Sequence, residues 1–225
     1  AGVWRTAHVN KTLKSIQVGD KTVQGLLVRM EWVLTDIDVP YTVDYLIGND
    51  GSVTITASID LQGKRLPELP RFGMRMELKD YDHLAWYGRG PWENYPDRHT
   101  ASFLGHYEDT VDGQYFPYIR PQETGNKTDV RWLTLRDANG TGLEVTGLQP
   151  IAFSALHFAP EDLDPRLTRK LQHQVNVVPR KNVFLHVDLK QRGLGGDNSW
   201  GMLPHDEYRL LDKTYTYSYK IRLVK

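Results

Sequence analysis

The feature that most constrains the fold is a period-two alternation of apolar and polar residues that recurs along the chain. The clearest case lies near the C-terminus, where Tyr215, Tyr217, Tyr219, Ile221 and Leu223 alternate with polar residues. This alternation predicts a strand with one buried face, because successive side chains of a strand point to opposite sides. The same pattern predicts strands over these further segments: 41–47, 53–57, 74–78, 132–135, 143–145, 151–158 and 183–189.

The segments between the predicted strands are turns rather than helices. Asp50-Gly51 and Asn139-Gly140 suit tight hairpins, because both turn residues can take positive φ. A short helix is expected only over 161–168, with Asp162 or Asp164 as its cap and Pro165 at its first position. Strands without intervening helices predict an all-β antiparallel sandwich or barrel. No linker or repeat divides the 225 residues, so one domain over 1–225 is expected.

Composition excludes several classes of function. The chain has no cysteine, which excludes disulfides, thiolate zinc sites and a cysteine nucleophile. Lys plus Arg is 28 and Asp plus Glu is 28, so no basic excess points to nucleic acid or to an anionic membrane. The eight His lack metal-ligand spacing, and no metal site is expected. Without a signal-peptide pattern or a membrane-length apolar run, we expect a soluble protein, in either the cytoplasm or the periplasm.

Three segments break the strand–turn pattern, and the first is 86–98. It holds four aromatic residues, two Arg, two acids and two Pro. Such loops bind sugars when the aromatic faces cover the C–H side of the ring and side chains such as Arg89, Glu93 and Asn94 read the hydroxyls. The alternative is a structural loop whose aromatic residues fill the core and whose charges pair with each other.

The second and third segments are 115–132 and 193–201. In the second, Glu123, Asp129 and Arg131 are candidates for a binding groove. Alternation would place Asp129 and Arg131 on one strand face, where a structural ion pair is the alternative interpretation. In the third, glycines surround Trp200, which is either a binding platform or interface anchor at a loop tip, or an indole folded back onto the sheet.

These segments resemble a known family. Part of the first segment reads Tyr87-Gly88-Arg89-Gly90-Pro91-Trp92-Glu93-Asn94-Tyr95-Pro96-Asp97-Arg98. It is similar to the G-x-G-P-x-E-N-Y-x-D-R signature of the β-galactosidase small-chain domain. Pro121–Asn126 with Asp129–Trp132 resembles its P-Q-E-x-G…D-V-R-W segment, and Gly195–Gly201 resembles its G-G-x-x-S-W-G segment. The resemblance is to the C-terminal domain, domain 5, of LacZ-type β-galactosidases of glycoside hydrolase family 2.

The resemblance implies a galactose-mutarotase-like antiparallel supersandwich. It implies a domain that completes the sugar pocket of a retaining β-galactosidase, whose catalytic glutamates and Mg and Na ligands lie outside this domain. The chain alone would then be inactive and carry no catalytic residue, cofactor or metal. By motif position Trp200 would contact the sugar, on a loop formed by Gly195, Gly196, Asp197, Asn198 and Ser199. The implied partners are a weakly bound galactoside and the remaining domains of the parent enzyme.

One departure and two alternatives accompany the resemblance. The chain lacks the W-R-A-P-x-D-N-D segment with which the family domain begins, so we expect the first strands to be missing and an edge to be exposed. One alternative is an enzyme like aldose 1-epimerases, in which His106, His157 or His186 would meet Glu123 or Asp129. The other is a stand-alone carbohydrate-binding module that uses the aromatic residues of segment 86–98.

Overall fold

The computed structural model describes residues 2–164, 173–198 and 200–225. These residues form an 11-stranded sheet in which all the pairings are antiparallel, which confirms the predicted all-β antiparallel class. The strands are β1 Lys11–Val18, β2 Leu26–Leu34, β3 Val39–Ile47, β4 Val53–Asp60, β5 Arg71–Leu78, β6 His83–Gly90, β7 Phe103–Thr110, β8 Lys127–Arg136, β9 Gly142–Leu156, β10 Val183–Gln191 and β11 Thr214–Val224. The helical segments are α1 Trp4–Ala7 and α2 Pro160–Leu163, with 3-10 turns at Asp112–Gln114, Gln174–Asn176 and Asp206–Tyr208. No helix among the described residues is long and apolar enough to cross a membrane.

The long strand β9 belongs to two parts of the sheet. The main order is β1-β2-β3-β4-β11-β9-β8-β6-β7, and β10 pairs with both β9 and β5. The first part of β9, Gly142 to Gly147, pairs with β11. Its last part, Ala152 to Leu156, pairs with β10. The chain therefore passes from one part of the sheet to the other within a single strand.

The core lies where β5 and β10 pack over β11. The ring of Phe72 on β5 lies 5.7 Å from that of Tyr215 and 5.6 Å from that of Tyr217. The Tyr217 hydroxyl donates to the Val187 carbonyl of β10 at 2.8 Å. The predicted buried face of this strand is thus correct for its tyrosines, but Leu223 lies beyond these contacts and is 77% exposed.

Segment 86–98 begins as a strand. Trp86 to Gly90 form the end of β6 and pair with β7, so only residues from Pro91 onward form the expected loop. Gly88 is required here, because a Cβ would lie 2.6 Å from the Val130 Cγ2 of β8. The close approach of these two strands brings the first and second motif segments together.

The short helix begins earlier than expected. Pro160, not Pro165, stands at the first position of α2. The Asp162 carboxylate accepts a hydrogen bond from the Ala159 N–H at 2.9 Å and closes the first turn. Residues 165–168 of the expected helix lie outside the described residues.

The N-terminal strand forms one edge of the sheet. β1 pairs with β2 alone, and nearly all of its residues are exposed. A register shift between Leu13 and Ser15 marks an irregularity in this pairing. The expectation that the family's first strands are missing stays a prediction.

Candidate functional site

Glu93 lies where the first two motif segments meet. One carboxylate oxygen accepts hydrogen bonds from Arg98 at 2.5 Å and from the Tyr118 hydroxyl. The other accepts from the Thr124 hydroxyl at 3.0 Å and from the Gly125 N–H at 2.7 Å. Both oxygens are therefore occupied by the protein itself, and the carboxylate ties the loop after β6 to the segment before β8.

Asn94 makes a second connection between these segments and is fully buried. Its Oδ1 accepts from the backbone N–H of Thr128 at 2.9 Å and from the Thr128 hydroxyl at 2.6 Å, and its Nδ2 donates to the Trp92 carbonyl at 3.0 Å. The Asn94 N–H donates to the Asn126 carbonyl, and the Asn126 side chain donates back to the Asn94 carbonyl, each at 2.8 Å. The hydrogen bonds of the Asn94 side-chain amide are thus made to groups of the protein itself.

Asp129 pairs with Arg89 rather than with Arg131. Arg89 Nε lies 2.5 Å from the Asp129 carboxylate, and its guanidinium also donates to the Ser102 carbonyl at 2.8 Å. The Arg131 guanidinium donates to the backbone carbonyl of Asp129 and lies 5.9 Å from the ring centre of Tyr87. The predicted ion pair between Asp129 and Arg131 is wrong. Register shifts interrupt β8 here and Asp129 has φ 54°, so strict alternation does not hold.

The loop that carries Trp200 is held at its base by the first motif. The Asp97 carboxylate accepts a hydrogen bond from the Gly195 N–H at 2.6 Å. The Asn198 side chain accepts from the Trp200 N–H at 2.8 Å. A Cβ at Gly196 would lie 2.2 Å from the Met202 carbonyl oxygen, so only glycine fits there. The Trp200 side chain itself is 93% exposed.

Other parts of this loop are also exposed. The Asp197 carboxylate accepts a hydrogen bond from His205 Nε2 at 2.8 Å, and this bond and the Asp197 charge raise the pKa of His205. Leu194, Met202 and Leu203 expose apolar surface close in sequence to Trp200. Ser199, the remaining predicted loop residue, lies outside the described residues.

A cluster that sequence reasoning missed is centred on Arg71 of β5. Its Nε lies 3.0 Å from the Asp188 carboxylate, and its terminal nitrogens contact His186 Nδ1 at 2.8 Å and Glu123 at 3.1 Å. It also donates to the Gln191 side chain. Burial raises the pKa of Asp188 to about 7, while burial and the Arg71 charge hold the pKa of His186 well below its usual value.

This cluster brings together one of the His–carboxylate pairs considered from the sequence. His186 and Glu123 both contact the Arg71 guanidinium. His106 instead stacks on Tyr87 at 4.8 Å, and His157 lies 3.2 Å from the Asn182 carbonyl. The available sequence signal was a pair of polar residues, His186 and Asp188, two positions apart in the otherwise apolar run 183–189. Among the described residues, no group of three or more His, Asp or Glu is placed to hold a metal ion.

A cleft of about 660 Å³ opens beside this cluster. Arg71 and His186 line its polar end. Its walls include Trp4 from α1, Tyr41 from β3 and Phe72 from β5. The structure therefore offers two surfaces of interest, the exposed Trp200 loop and this cleft.

Comparison with known proteins agrees with the three motifs. A family model described as beta galactosidase small chain matches residues 1–223. The chain belongs to this family. The small-chain resemblance inferred from the motifs is thereby confirmed.

Relatives and solved structures add detail to this assignment. The β-galactosidase of Priestia megaterium is 34% identical over 97% of this chain and 21% of its own length. The β-galactosidases of Halalkalibacterium halodurans and Streptococcus thermophilus are each 33% identical, over 93% and 92% of this chain. The chain spans about one fifth of the length of these relatives. A galactose mutarotase related enzyme from Lactobacillus acidophilus matches 94% of this chain and 72% of that chain, at 9% identity and a TM-score of 0.40. That likeness is too low to support an argument about function.

Proposed function

We propose that this chain is the C-terminal small-chain domain of a retaining β-galactosidase that hydrolyses terminal β-D-galactosides. In this proposal the domain completes the sugar pocket of a catalytic barrel in another part of the parent protein. Its support is the family membership, together with a span of about one fifth of the related β-galactosidases. The domain contributes no catalytic residue, metal or cofactor of its own, and it does not hydrolyse galactosides alone.

The observation that carries the proposal is the presentation of Trp200. The indole is 93% exposed, yet the loop that bears it is fixed by Asp97 and Asn198. Holding a large apolar ring in water on a fixed loop suits a surface that is covered when another domain or a ligand arrives. An indole face can stack on the C–H side of galactose and exclude water from the reacting bond.

The free domain should bind galactosides only weakly at this loop. A single stacking face offers a small part of the contacts of a closed pocket, and association has a substantial entropic cost. The opposing wall of the pocket would come from the barrel. Trp200 therefore acts on the affinity of the complete enzyme rather than as an independent binding site.

The test uses the complete enzyme with Trp200→Ala, Trp200→Phe and the matched control Trp92→Ala. Trp92 is also an exposed tryptophan, at 73%, but lies outside the loop. An aromatic stacking contact contributes about 0.5–1.5 kcal/mol, so Trp200→Ala should raise the KM for nitrophenyl β-galactoside about 2- to 10-fold. Trp200→Phe should recover part of the loss, and Trp92→Ala should leave the KM unchanged. An unchanged KM in Trp200→Ala, with the protein folded, would remove the platform assignment.

One observation favours a second candidate, an activity like that of aldose 1-epimerases. Arg71 holds His186 and Glu123 on one guanidinium beside the cleft. However, the lowered pKa of His186 keeps its ring neutral near pH 7, which does not suit the acid of a ring-opening step. The test is polarimetry of fresh α-galactose with this chain. A rate equal to that of buffer alone would reject this candidate.

A further inference from the structure

The cleft beside Arg71 has the dimensions of a small-molecule site. Its volume of about 660 Å³ falls within the range of roughly 300–1,000 Å³ that is typical of ligand pockets. One end is polar, where Arg71 and His186 line it, and the remaining lining is mainly apolar and aromatic, with Arg75 and Glu161 at its side. We propose that this cleft binds a neutral mono- or disaccharide, with its hydroxyls on the Arg71 cluster and its C–H face on the aromatic wall.

The polar end has hydrogen-bonding capacity that the protein does not use. His186 is 8% exposed, and its Nε2 is buried without a hydrogen-bond partner among the described residues. Asp188 behind it is fully buried and is paired with Arg71 at 3.0 Å. Buried polar atoms in folded proteins nearly always have a partner, so the unpartnered His186 nitrogen beside the cleft indicates a site for a polar ligand.

The mixture of groups suits hydroxyls in particular. Arg71 supplies N–H donors, whereas the Glu161 carboxylate, which also lines the cleft, supplies acceptors. A hydroxyl both donates and accepts, so it can bond to either kind of group. A ligand with several hydroxyls can therefore use this end of the cleft without a fixed charge of its own.

The cleft is lined by the cationic side chains Arg71, Arg75 and Lys11 and by His8, and its two guanidinium groups argue against an anionic ligand. Arg71 pairs with Glu123 at 3.1 Å and with Asp188 at 3.0 Å. Arg75, at the side of the cleft, is held by Glu161 at 2.8 Å. With these guanidinium groups already paired, a phosphate or carboxylate ligand would displace existing ion pairs. A neutral ligand requires no such exchange.

The aromatic wall is fixed before any ligand arrives. The Trp4 indole N–H donates to the Pro67 carbonyl at 3.2 Å, which orients its ring. Phe72 packs on Tyr215 and Tyr217 in the core. Rings that are already ordered lose little conformational entropy on binding. The cleft thus combines an ordered apolar wall with a polar end, as sugar recognition requires.

This inference rests on the cleft and not on the Trp200 loop, so either proposal can fail without the other. The experiment titrates the chain with methyl β-D-galactoside and with lactose and follows the backbone and indole N–H signals by NMR. We expect saturable shifts at the Trp4 indole and in β5, with a Kd on the order of millimolar, as for a weak open site. Inorganic phosphate at equal concentration should neither cause these shifts nor compete.

Three variants locate the sugar. Val9 lines the cleft and is 60% exposed, so Val9→Trp should fill the cleft without disturbing the core, and should weaken binding at least about 10-fold. Trp92→Ala is the matched control and should bind as the parent chain does, and Trp200→Ala measures the share of the binding that belongs to the loop.

Specific results would overturn the inference. Loss of binding in Trp200→Ala with retention in Val9→Trp would assign the sugar to the loop. Loss in Trp92→Ala would assign it to segment 86–98. Competition by phosphate would refute a neutral ligand, and absence of shifts with both sugars would refute the site. If Val9→Trp fails to fold, the position of the shifts in the parent chain decides between these outcomes.

Discussion

Asn94 gives the sharpest test of how the motif residues act. Asn94→Ala removes the two hydrogen bonds accepted from Thr128 and the one donated to the Trp92 carbonyl. Each bond contributes about 0.5–1.5 kcal/mol, and leaving the Thr128 N–H in a partly buried position without its partner adds to the cost, so we expect a loss of about 3 kcal/mol in the free energy of unfolding. At this chain length, that loss lowers Tm by roughly 6–12 °C.

The assay is thermal and urea unfolding of the chain followed by circular dichroism. Asn139→Ala is the matched control, because Asn139 lies exposed in the hairpin turn between β8 and β9 and should change the stability by less than about 0.5 kcal/mol. A drop in Tm below 2 °C for Asn94→Ala would refute the reasoning. Such a result would mean that the buried amide is not needed to join the loop after β6 to β8.

Three further predictions concern buried or anchoring groups. Tyr217→Phe should lower the free energy of unfolding by about 1 kcal/mol, and Tyr219→Phe, whose hydroxyl meets only a sulfur at 3.4 Å, by less; equal losses in urea titrations would contradict this. Burial lowers the pKa of Lys127 to about 8, so between pH 8 and 10.5 the unfolded state binds a proton that the native state lacks. Stability should rise with pH over that range, and Lys127→Met should flatten the rise; parallel curves would refute the assignment. Asp97→Ala should speed amide hydrogen exchange at Gly195 at least about 10-fold with little change in Tm, and unchanged protection would show that the loop is held by other contacts.

The sequence predicted those strands whose buried face carries large side chains. Period two marks β3, β4 and β11 because an apolar side chain fills every second position. The alternation did not predict β6, because two of its buried positions are Gly88 and Gly90, which have no apolar side chain to mark the buried face. The alternation did not predict β1 either, because the register shift after Leu13 interrupts the alternation of apolar and polar residues.

The site was predictable only where its residues are close in sequence. The motif segments located the Trp200 loop, but not its anchor at Asp97. The contacts of Arg71 with Glu123 and His186 join residues 52 and 115 positions apart. They depend on which strand pairs with β10 and in which register, and residue periodicity carries no information on either. Strand pairing, rather than local pattern, builds the cleft.

The continuity of β9 has a kinetic consequence for that cleft. One strand is hydrogen-bonded to β11 at its start and to β10 at its end, so the wall that includes β3 and the wall that includes β5 are joined through one continuous strand. A hinge or shear motion that opened the cleft would have to bend this strand or break part of its pairing. Exchange at the cleft should therefore be limited by side-chain rotation on the picosecond-to-nanosecond scale, and NMR signals should shift in fast exchange without microsecond-to-millisecond broadening from domain opening.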